Sequence, residues 1–211
     1  MADKEYKVVI ENGIGEIVEK KSRFIATIRS VHNEQQATAF VAEMKKKYWD
    51  ARHNCSAFVI GENNEITRCS DDGEPSGTAG RPMLDVLINE NIHDVAVVVT
   101  RYFGGVLLGT GGLVRAYQKS VQEGIAASKL AIMRYGYPFT VVTDYNGLGK
   151  LEYIVRTEQI QIADTRYTEN VEMDIIVPEN KKEHIIDTIT EATNGTAQIK
   201  IGDLQMYAAN C

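Results

Sequence analysis

The sequence predicts an α+β protein in two domains, residues 1–131 and residues 132–211. Segments with the apolar spacing of helices alternate along the chain with short runs typical of strands. A length of 211 residues allows one or two domains, each large enough to bury its own core. The composition, 44% hydrophobic and 25% charged, is that of a folded globular protein and excludes a disordered or low-complexity chain.

The first elements are two predicted strands, residues 6–10 and 14–18, that flank Asn12-Gly13. Asn-Gly is favoured in type I′ turns because both central residues of such a turn need positive φ. The sequence therefore predicts a tight hairpin between these strands. The later elements of the first domain are predicted as strand 24–28, helix 33–48, strands 54–60 and 66–70, helix 79–88, strand 95–99 and helix 113–127.

Three short segments of the first domain carry further expectations. Residues 95–99 are an unbroken apolar run, which indicates a strand covered on both faces. Tyr48 and Trp49 follow the first helix, and aromatic side chains of this size are expected to anchor the core. Lys20-Lys21-Ser22-Arg23 is a basic cluster that can contact phosphate, although a solvated turn is the favoured interpretation.

The second domain is predicted from the order of its elements. They are strand 139–142, helix 147–158, strands 160–167 and 171–177, helix 181–193 and strand 198–205. This βαββαβ order is the ferredoxin-like pattern, and a domain of roughly 80 residues suits it.

The net charge of −6 comes from 23 basic and 29 acidic residues, a poor composition for a general nucleic-acid binder. The acidity is uneven, because residues 1–131 carry a net charge of −1 and residues 132–211 carry −5. Between residues 95 and 122 the only formal charges are Arg101, Arg115 and Lys119, so this stretch is +3. The charge excludes a broad, non-specific nucleic-acid binder but allows a small phosphate site on the first domain.

The first candidate site is the glycine-rich loop that joins the buried strand to the next helix. Its residues are Arg101, Tyr102, Gly104, Gly105, Gly109, Thr110, Gly111, Gly112 and Arg115. Free backbone N–H groups at a helix start attract anions, and glycines let the backbone approach a phosphate closely. Arg101 and Arg115 can add bidentate contacts, and Tyr102 and Phe103 can stack on bases. A structural turn that needs positive φ explains the glycines equally well.

Named nucleotide motifs are missing from this loop. No Gly-Lys-Ser/Thr triplet exists for a Walker A loop, and Val114 stands where the dinucleotide fingerprint needs its third glycine. We therefore expect no ATP, NAD or other cofactor.

The second candidate site is a polar cluster at one end of the predicted 54–60/66–70 hairpin. Its residues are Arg52, His53, Cys55, Asp71, Asp72, Glu74 and Ser76. A hairpin about position 63 would bring Cys55 near Asp71 and His53 near Gly73. The cluster could be a Cys–His nucleophile pair or a carboxylate metal site. The favoured interpretation is a polar loop that closes the sheet end, since no spacing matches a known triad or ligand set.

Processing and redox signals favour a cytoplasmic protein. No run of roughly 18 apolar residues exists to span a membrane, so no membrane partner is expected. The first residues, Met1-Ala2-Asp3-Lys4-Glu5, lack the apolar stretch of a secretion signal. Cys55, Cys69 and Cys211 are odd in number and form no CxxC pair, so neither a disulfide framework nor a metal site is expected.

Four segments in order resemble the Impact family and its bacterial YigZ-like branch. They are Lys21-Ser22-Arg23-Phe24, Ala51-Arg52-His53-Asn54-Cys55, the stretch from Asp71 to Gly80, and Arg101-Tyr102-Phe103-Gly104-Gly105-Val106-Leu107-Leu108-Gly109. The last segment closely matches the signature region of the family. The resemblance implies a first domain of the ribosomal protein S-five domain-two-like fold. It implies a second, ferredoxin-like domain similar to the last domain of elongation factor G.

Both of those folds recur in proteins that contact the ribosome or RNA, and the eukaryotic relatives act in translational control. The leading hypothesis is a non-enzymatic cytoplasmic protein linked to translation or to its regulation under stress. It would bind RNA, the ribosome or another phosphate-bearing partner through the first domain, and a translation-related protein is a further candidate partner. The alternative is a small-molecule enzyme, with hydrolase or phosphate-ligand chemistry, in which His53, Asp71, Asp72 and Glu74 act beside the glycine-rich loop. A third hypothesis makes the C-terminal sheet a protein-docking face.

Overall fold

The computed structural model describes residues 5–210, which include two compact units, residues 6–132 and residues 133–210. The elements of the first unit are β1 (Tyr6–Glu11), β2 (Gly13–Glu19), β3 (Ser22–Ser30), α1 (Glu34–Lys47), β4 (His53–Ile60), β5 (Ile66–Ser70), α2 (Gly80–Asn89), β6 (Ile92–His93), β7 (Val95–Tyr102) and α3 (Thr110–Ala126). The elements that follow are β8 (Lys129–Thr143), α4 (Tyr145–Thr157), β9 (Gln161–Tyr167), β10 (Val171–Pro178), α5 (Lys182–Ala192), β11 (Gln198–Ile201) and β12 (Gln205–Asn210). Met1 to Lys4 and Cys211, which enter the secretion-signal and cysteine arguments, lie outside the described residues.

An antiparallel five-stranded sheet in the order β2-β3-β7-β4-β5 forms the centre of the first unit. Val95, Val97 and Val99 of β7 pack on one face with side chains of α2 and α3. Ala96 and Val98 pack on the other face with side chains of α1. All five are fully buried, which confirms that the apolar run is a strand covered on both faces.

The predicted hairpin at Asn12-Gly13 is wrong. β1 pairs in parallel with β6, whereas β2 pairs with β3, so the two strands do not pair with each other. Gly13 is needed for close approach instead, because a Cβ there would lie 2.6 Å from the carbonyl oxygen of Gly124 in α3. The tight turn lies one strand later, at Lys20 and Lys21, whose φ values are +45° and +66°.

The two aromatic residues after α1 differ in burial. Tyr48 ends the helix, its N–H bonds to the carbonyl oxygen of Met44, and its ring packs against the core on the α1 side of the sheet. Trp49 is 82% exposed, so the prediction that it anchors the core is wrong. The chain turns here, since the N–H of Ala51 bonds to the carbonyl oxygen of Tyr48, and this turn leaves the Trp49 side chain in solvent.

The second unit has the predicted βαββαβ order, with β8 extended at its start and the last strand divided into β11 and β12. Its strands pair in the order β9-β10-β8-β11, and all three pairings are antiparallel. Leu151 and Ile154 of α4 and Ile185 and Ile189 of α5 are buried in one cluster with the sheet. Asp144 caps α4, because its Oδ1 accepts the N–H of Gly147 at 2.7 Å.

Candidate functional site

A buried ion pair lies beside the glycine-rich loop. Arg101 Nη1 donates to Glu74 Oε1 at 2.5 Å, and the two side chains are only 7% and 3% exposed. The hydroxyl of Tyr117 donates to the same carboxylate oxygen at 2.9 Å. Burial raises the pKa of Tyr117, so its phenol stays protonated and remains a donor. The charge of Arg101 is therefore neutralised inside the protein.

Strand register explains how these residues meet. Arg101 lies near the end of β7, opposite Phe24 of β3 and His53 of β4. Its guanidinium carbon lies 5.3 Å from the ring centre of Phe24 and 5.7 Å from that of Phe103. Arg101 Nε is buried and has no hydrogen-bond partner among residues 5–210. The guanidinium thus lies close to the faces of two aromatic rings, where a cation is favourable.

The loop after β5 is held by Asp71. Its Oδ2 accepts the N–H of Gly77 at 2.8 Å, and its Oδ1 accepts those of Ala79 and Gly80 at 3.0 and 2.8 Å. Burial opposes ionisation of Asp71, but these three donors outweigh it and lower its pKa. Asp71 therefore closes the loop and satisfies N–H groups at the start of α2.

Asp72 and His53 tie the same loop to β4. Asp72 Oδ2 accepts the N–H of Asn54 at 2.7 Å, and Oδ1 accepts from Lys45 Nζ at 2.5 Å. The Nδ1 of His53 lies 2.9 Å from the carbonyl oxygen of Asp72, which requires the ring proton to be on Nδ1. Asp71 and Asp72, two of the three carboxylates of the predicted polar cluster, are thus engaged in local structure.

Cys55 is fully buried, and its Sγ lies 3.0 Å from the carbonyl oxygen of Asp71. Burial raises the pKa of Cys55 to about 12, so at neutral pH it is a thiol and a poor nucleophile. Arg52 and Ser76 are exposed. Among residues 5–210, no group of three or more His, Cys, Asp or Glu side chains is arranged to hold a metal ion. The predicted hairpin contacts are present, and their arrangement is that of a closed polar loop.

The glycines between β7 and α3 have structural causes. The N–H of Gly104 donates to Ser22 Oγ at 3.1 Å, and a Cβ at Gly104 would collide with the backbone of Lys21. Gly105 and Gly109 have φ values of +83° and +75°, in the region that L side chains avoid. These three positions are explained by backbone geometry, as the structural interpretation of the loop expects.

A groove of about 250 Å³ lies beside the first turns of α3, and we call it the basic groove. Its charged lining residues are Glu19, Lys20, Arg115 and Lys119, and Gly112 contributes its backbone. Its apolar lining residues are Ile17, Leu108 and Ala116. Gly109 precedes the helix without a side-chain cap, and a Cβ at Gly111 would lie 3.6 Å from Arg115 Nη1. The guanidinium of Arg115 therefore lies beside the helix N-terminus, where the backbone dipole also favours an anion.

The cations of the basic groove are unpaired, unlike many others in the first unit. Arg23 and Arg29 are held by carboxylates at 2.7 and 2.6 Å. Lys20, Arg115 and Lys119 are exposed and have no carboxylate partner among residues 5–210. Cations without an internal partner are available to neutralise a bound anion.

The structure divides the predicted phosphate site. Arg115 and Gly112 line the basic groove, and Thr110 is exposed at the helix start. Arg101 is buried instead, and the half-buried Tyr102 donates its hydroxyl to Asp50 Oδ1 at 3.0 Å. The sequence analysis noted the basic cluster at residues 20–23 but did not assign Lys20 to this site. The turn that contains Lys20 is brought beside α3 only by the fold. Lys119 could have been found from its spacing of four residues after Arg115 on one helix.

The fold and the groove define a two-unit α+β protein with exposed, unpaired cations beside the first turns of α3. Residues 20–125 match the Impact N-terminal domain, and residues 141–196 match a domain of unknown function (DUF1949). The chain is 48% identical over 202 residues to the IMPACT family member YvyE of Bacillus subtilis, covering 94% of this chain and 92% of that protein. It is 33% identical over 182 residues to the IMPACT family member YigZ of Escherichia coli, covering 85% and 89% of the two chains.

The chain therefore belongs to the IMPACT family. A solved structure described as "Crystal structure of an hypothetical protein" has a TM-score of 0.59 and 30% identity, and the match covers 92% of this chain and 96% of that one. Within residues 5–210, no helix combines the length and apolar character needed to cross a membrane.

Proposed function

We propose that this protein is a non-enzymatic cytoplasmic RNA-binding protein with a role in translation or in its regulation under stress. The observation that carries the proposal is the set of three unpaired cations, Lys20, Arg115 and Lys119, that line the basic groove beside the first turns of α3. The role of eukaryotic members of the family in translational control also supports a function in translation. The ribosome, or a translation-related protein bound with RNA, is the setting in which such a site would act.

Phosphate groups fit the chemistry of the basic groove. The first-turn N–H groups of α3 have no side-chain cap at Gly109, and Arg115 adds a planar donor beside them. Ile17, Leu108 and Ala116 give the groove an apolar floor on which a sugar or base can rest. A nucleic-acid backbone presents both kinds of group together, whereas an isolated phosphate ion would leave the apolar floor unused.

The buried pair has a supporting role in this proposal. Arg101 and Glu74 neutralise each other at the end of β7, and Arg101 lies under the ring of Phe103. This arrangement anchors the start of the loop that leads to α3. The direct contacts to RNA are therefore assigned to Lys20, Arg115 and Lys119, and Arg101 is assigned to positioning the loop.

The enzymatic alternative has less support. Asp71 and Asp72 are engaged by backbone N–H groups and by Lys45, and Glu74 is engaged by Arg101. A general base needs a free carboxylate or imidazole within reach of substrate. The groups at this end of the sheet are used for structure.

We also propose the bounds 1–131 and 132–211 for the two domains, with the S-five domain-two-like and ferredoxin-like folds. The antiparallel strand order β9-β10-β8-β11 supports the ferredoxin-like proposal for the second domain, because this fold places its fourth strand beside its first.

RNA binding is tested by fluorescence anisotropy of a labelled RNA titrated with the full chain at several salt concentrations. Binding should weaken as salt is added. A plot of the logarithm of the association constant against the logarithm of the salt concentration should have a slope of about −0.7 for each phosphate neutralised on a single strand. The double variant Arg115→Ala/Lys119→Ala should reduce the steepness of the slope by about 1.4 and weaken binding at least about tenfold.

The matched control is Arg68→Ala/Lys129→Ala, which removes the same charge from two exposed cations that are paired with Glu34 and Glu11. This control should keep most of the affinity. Equal losses in both double variants would show that net charge alone drives binding, and the absence of RNA binding in the wild type would overturn the proposed function.

A further inference from the structure

A groove of about 670 Å³ runs between α4 and α5 of the second unit, and we call it the helix groove. Its lining residues are Gly149, Lys150, Tyr153 and Ile154 of α4 and Thr188, Glu191 and Ala192 of α5. Most of these side chains are uncharged, and Tyr153 is 61% exposed although it carries a large aromatic ring. An exposed recess with apolar walls is typical of a surface that contacts another molecule.

Polar contacts join α4 and α5 at both ends of the helix groove. At one end, Lys150 Nζ donates to the carbonyl oxygen of Ala192 at 2.8 Å, in the last turn of α5. At the other end, Glu158, directly after α4, accepts from Lys181 Nζ at 3.0 Å, and its Oε1 lies 3.1 Å from His184 Nε2. The two helices are therefore antiparallel, and their spacing is fixed before a partner arrives, which lowers the entropic cost of binding.

Gly149 has no structural cause among the described residues. It lies in the interior of α4, and a Cβ at this position would have no heavy atom within 4 Å. Gly147 of the same helix does have a packing cause, because a Cβ there would collide with Thr143. A glycine in a helix interior costs about 1 kcal/mol relative to alanine. At Gly149 this cost leaves the backbone of α4 open to close approach by another chain.

A stripe of carboxylates follows α5 along the helix groove. Glu183, Asp187 and Glu191 are four residues apart, so they lie on one side of the helix, and Glu191 lines the groove itself. All three are exposed, and none is hydrogen-bonded or ion-paired through its side chain among residues 5–210. Lys150, the cation of the groove, is occupied by the carbonyl at the end of α5. The rim on the α5 side therefore offers uncompensated negative charge.

The sheet of the second unit offers less to a charged partner. Arg166 of β9 contacts the carboxylates of Asp164 at 3.0 Å, Glu172 at 3.2 Å and Asp174 at 2.6 Å. One guanidinium thus offsets part of the charge of three acidic side chains. Between these two places, the unpaired carboxylates lie along α5 and not around Arg166.

We propose that the helix groove binds a basic amphipathic helix of a partner protein. Its apolar face would pack over Gly149 and Tyr153, and its lysine or arginine side chains would lie against Asp187 and Glu191. Two packed helices present ridges and grooves that accept a third helix, and an apolar groove is a common receptor for an amphipathic helix. Opposite charge along one rim selects a cationic partner and sets its orientation. The net charge of −5 on residues 132–211 favours the same partner.

The probe is a fluorescein-labelled helical peptide of about 18 residues, long enough to be helical in water, with leucines on one face and lysines on the other. One comparison peptide has glutamate in place of lysine, and another has the lysine composition in scrambled order. The full chain is titrated into each peptide, and binding is followed by fluorescence anisotropy. The lysine peptide should bind at least about tenfold more tightly than either comparison peptide.

Substitution of Gly149 tests the close approach. Gly149→Leu should weaken binding of the lysine peptide at least about tenfold, because the new side chain occupies the groove. Gly149→Ala should also weaken binding, although it should stabilise the fold, so its loss of affinity cannot be attributed to unfolding. The control Thr190→Leu places the same side chain at an exposed position of α5 that does not line the groove, and it should keep the affinity.

Reversal of the rim charge tests the polarity of the partner. Asp187→Lys/Glu191→Lys should make the protein prefer the glutamate peptide to the lysine peptide. The control Glu169→Lys/Asp203→Lys makes the same change in net charge at two exposed acidic residues that do not line the groove, and it should keep the original preference.

The results that would overturn this inference are distinct. Equal binding of the lysine and scrambled peptides, or equal effects of the two charge-reversal variants, would show general charge attraction instead of a shaped site. Unchanged binding in Gly149→Leu, or no binding of the lysine peptide, would also overturn it. Self-association of the protein that Gly149→Leu abolishes would make a second copy the occupant. RNA binding through Arg115 and Lys119 should be the same in all these variants, so failure here leaves the proposed function standing.

Discussion

The buried pair between Arg101 and Glu74 gives the sharpest prediction about stability. In Arg101→Met the carboxylate of Glu74, only 3% exposed, keeps the Tyr117 hydroxyl as donor but loses its cation. In Glu74→Leu the guanidinium is left buried without an acceptor. Removal of one partner from a buried ion pair costs about 3–5 kcal/mol, because an uncompensated charge remains.

The double variant Arg101→Met/Glu74→Leu should be more stable than the sum of the two losses implies. No charge remains buried, and the main residual cost is the Tyr117 hydroxyl without its acceptor, about 1–3 kcal/mol. The cycle should therefore give a coupling energy of at least about 3 kcal/mol. In thermal unfolding, each single variant should lower the Tm of the transition by about 6–20 °C.

The assay is denaturant unfolding followed by far-ultraviolet circular dichroism, since the exposed Trp49 is a poor reporter of the core. Single-variant losses below about 1 kcal/mol, or strictly additive losses, would refute the reasoning and make Arg101 available for direct contact with a ligand. If the reasoning holds, loss of RNA binding in an Arg101 variant reports on folding of the site, so Arg115 and Lys119 are the positions that test contact.

Two further predictions concern reactivity and packing in the first unit. In a Cys69→Ser/Cys211→Ser background, Cys55 should react with a thiol reagent at pH 8 about 1000-fold more slowly in the native protein than in the unfolded protein. The reason is that burial raises the pKa of Cys55 to about 12. A native rate within tenfold of the unfolded rate would show an accessible thiolate. Gly15→Ala should lower the free energy of unfolding by about 1–3 kcal/mol, since its Cβ would lie 2.7 Å from the Glu123 carbonyl oxygen. The control Gly149→Ala, on α4 with nothing within 4 Å of its Cβ, should be stabilising by up to about 1 kcal/mol, and equal losses at both glycines would contradict the packing argument.

Part of the fold was predictable because it depends on local pattern. The apolar run 95–99 indicated a strand covered on both faces, and β7 is that strand. The βαββαβ order of the second unit followed from helical and strand spacing alone, and the sheet order then depends on pairing between distant segments. The largest error in the bounds of an element is at β8, which begins ten residues before the predicted strand.

The sequence predicted which loops form the candidate site, but it did not predict which of their charged residues are paired. The glycine-rich loop and the polar loop were both found from composition, and strand register brings them together at one end of the five-stranded sheet. Sequence reasoning treated Arg101 and Arg115 alike, as two arginines flanking one loop. Only the structure shows that Arg101 forms an ion pair with Glu74, which lies 27 residues earlier in the chain. Arg115, in contrast, has no carboxylate partner among residues 5–210.

The sequence by itself determined the α+β class, most of the helices and strands and the positive charge before and within α3, because periodicity and charge are properties of neighbouring residues. Tertiary structure decided which polar groups neutralise each other, why Gly13 is a glycine, and that Trp49 faces solvent. These outcomes depend on contacts between segments that are far apart in the chain. The free energies of such contacts cannot be read from a local sequence pattern. The same long-range contacts place the Lys20 turn beside α3 and so create the groove on which the proposed function depends.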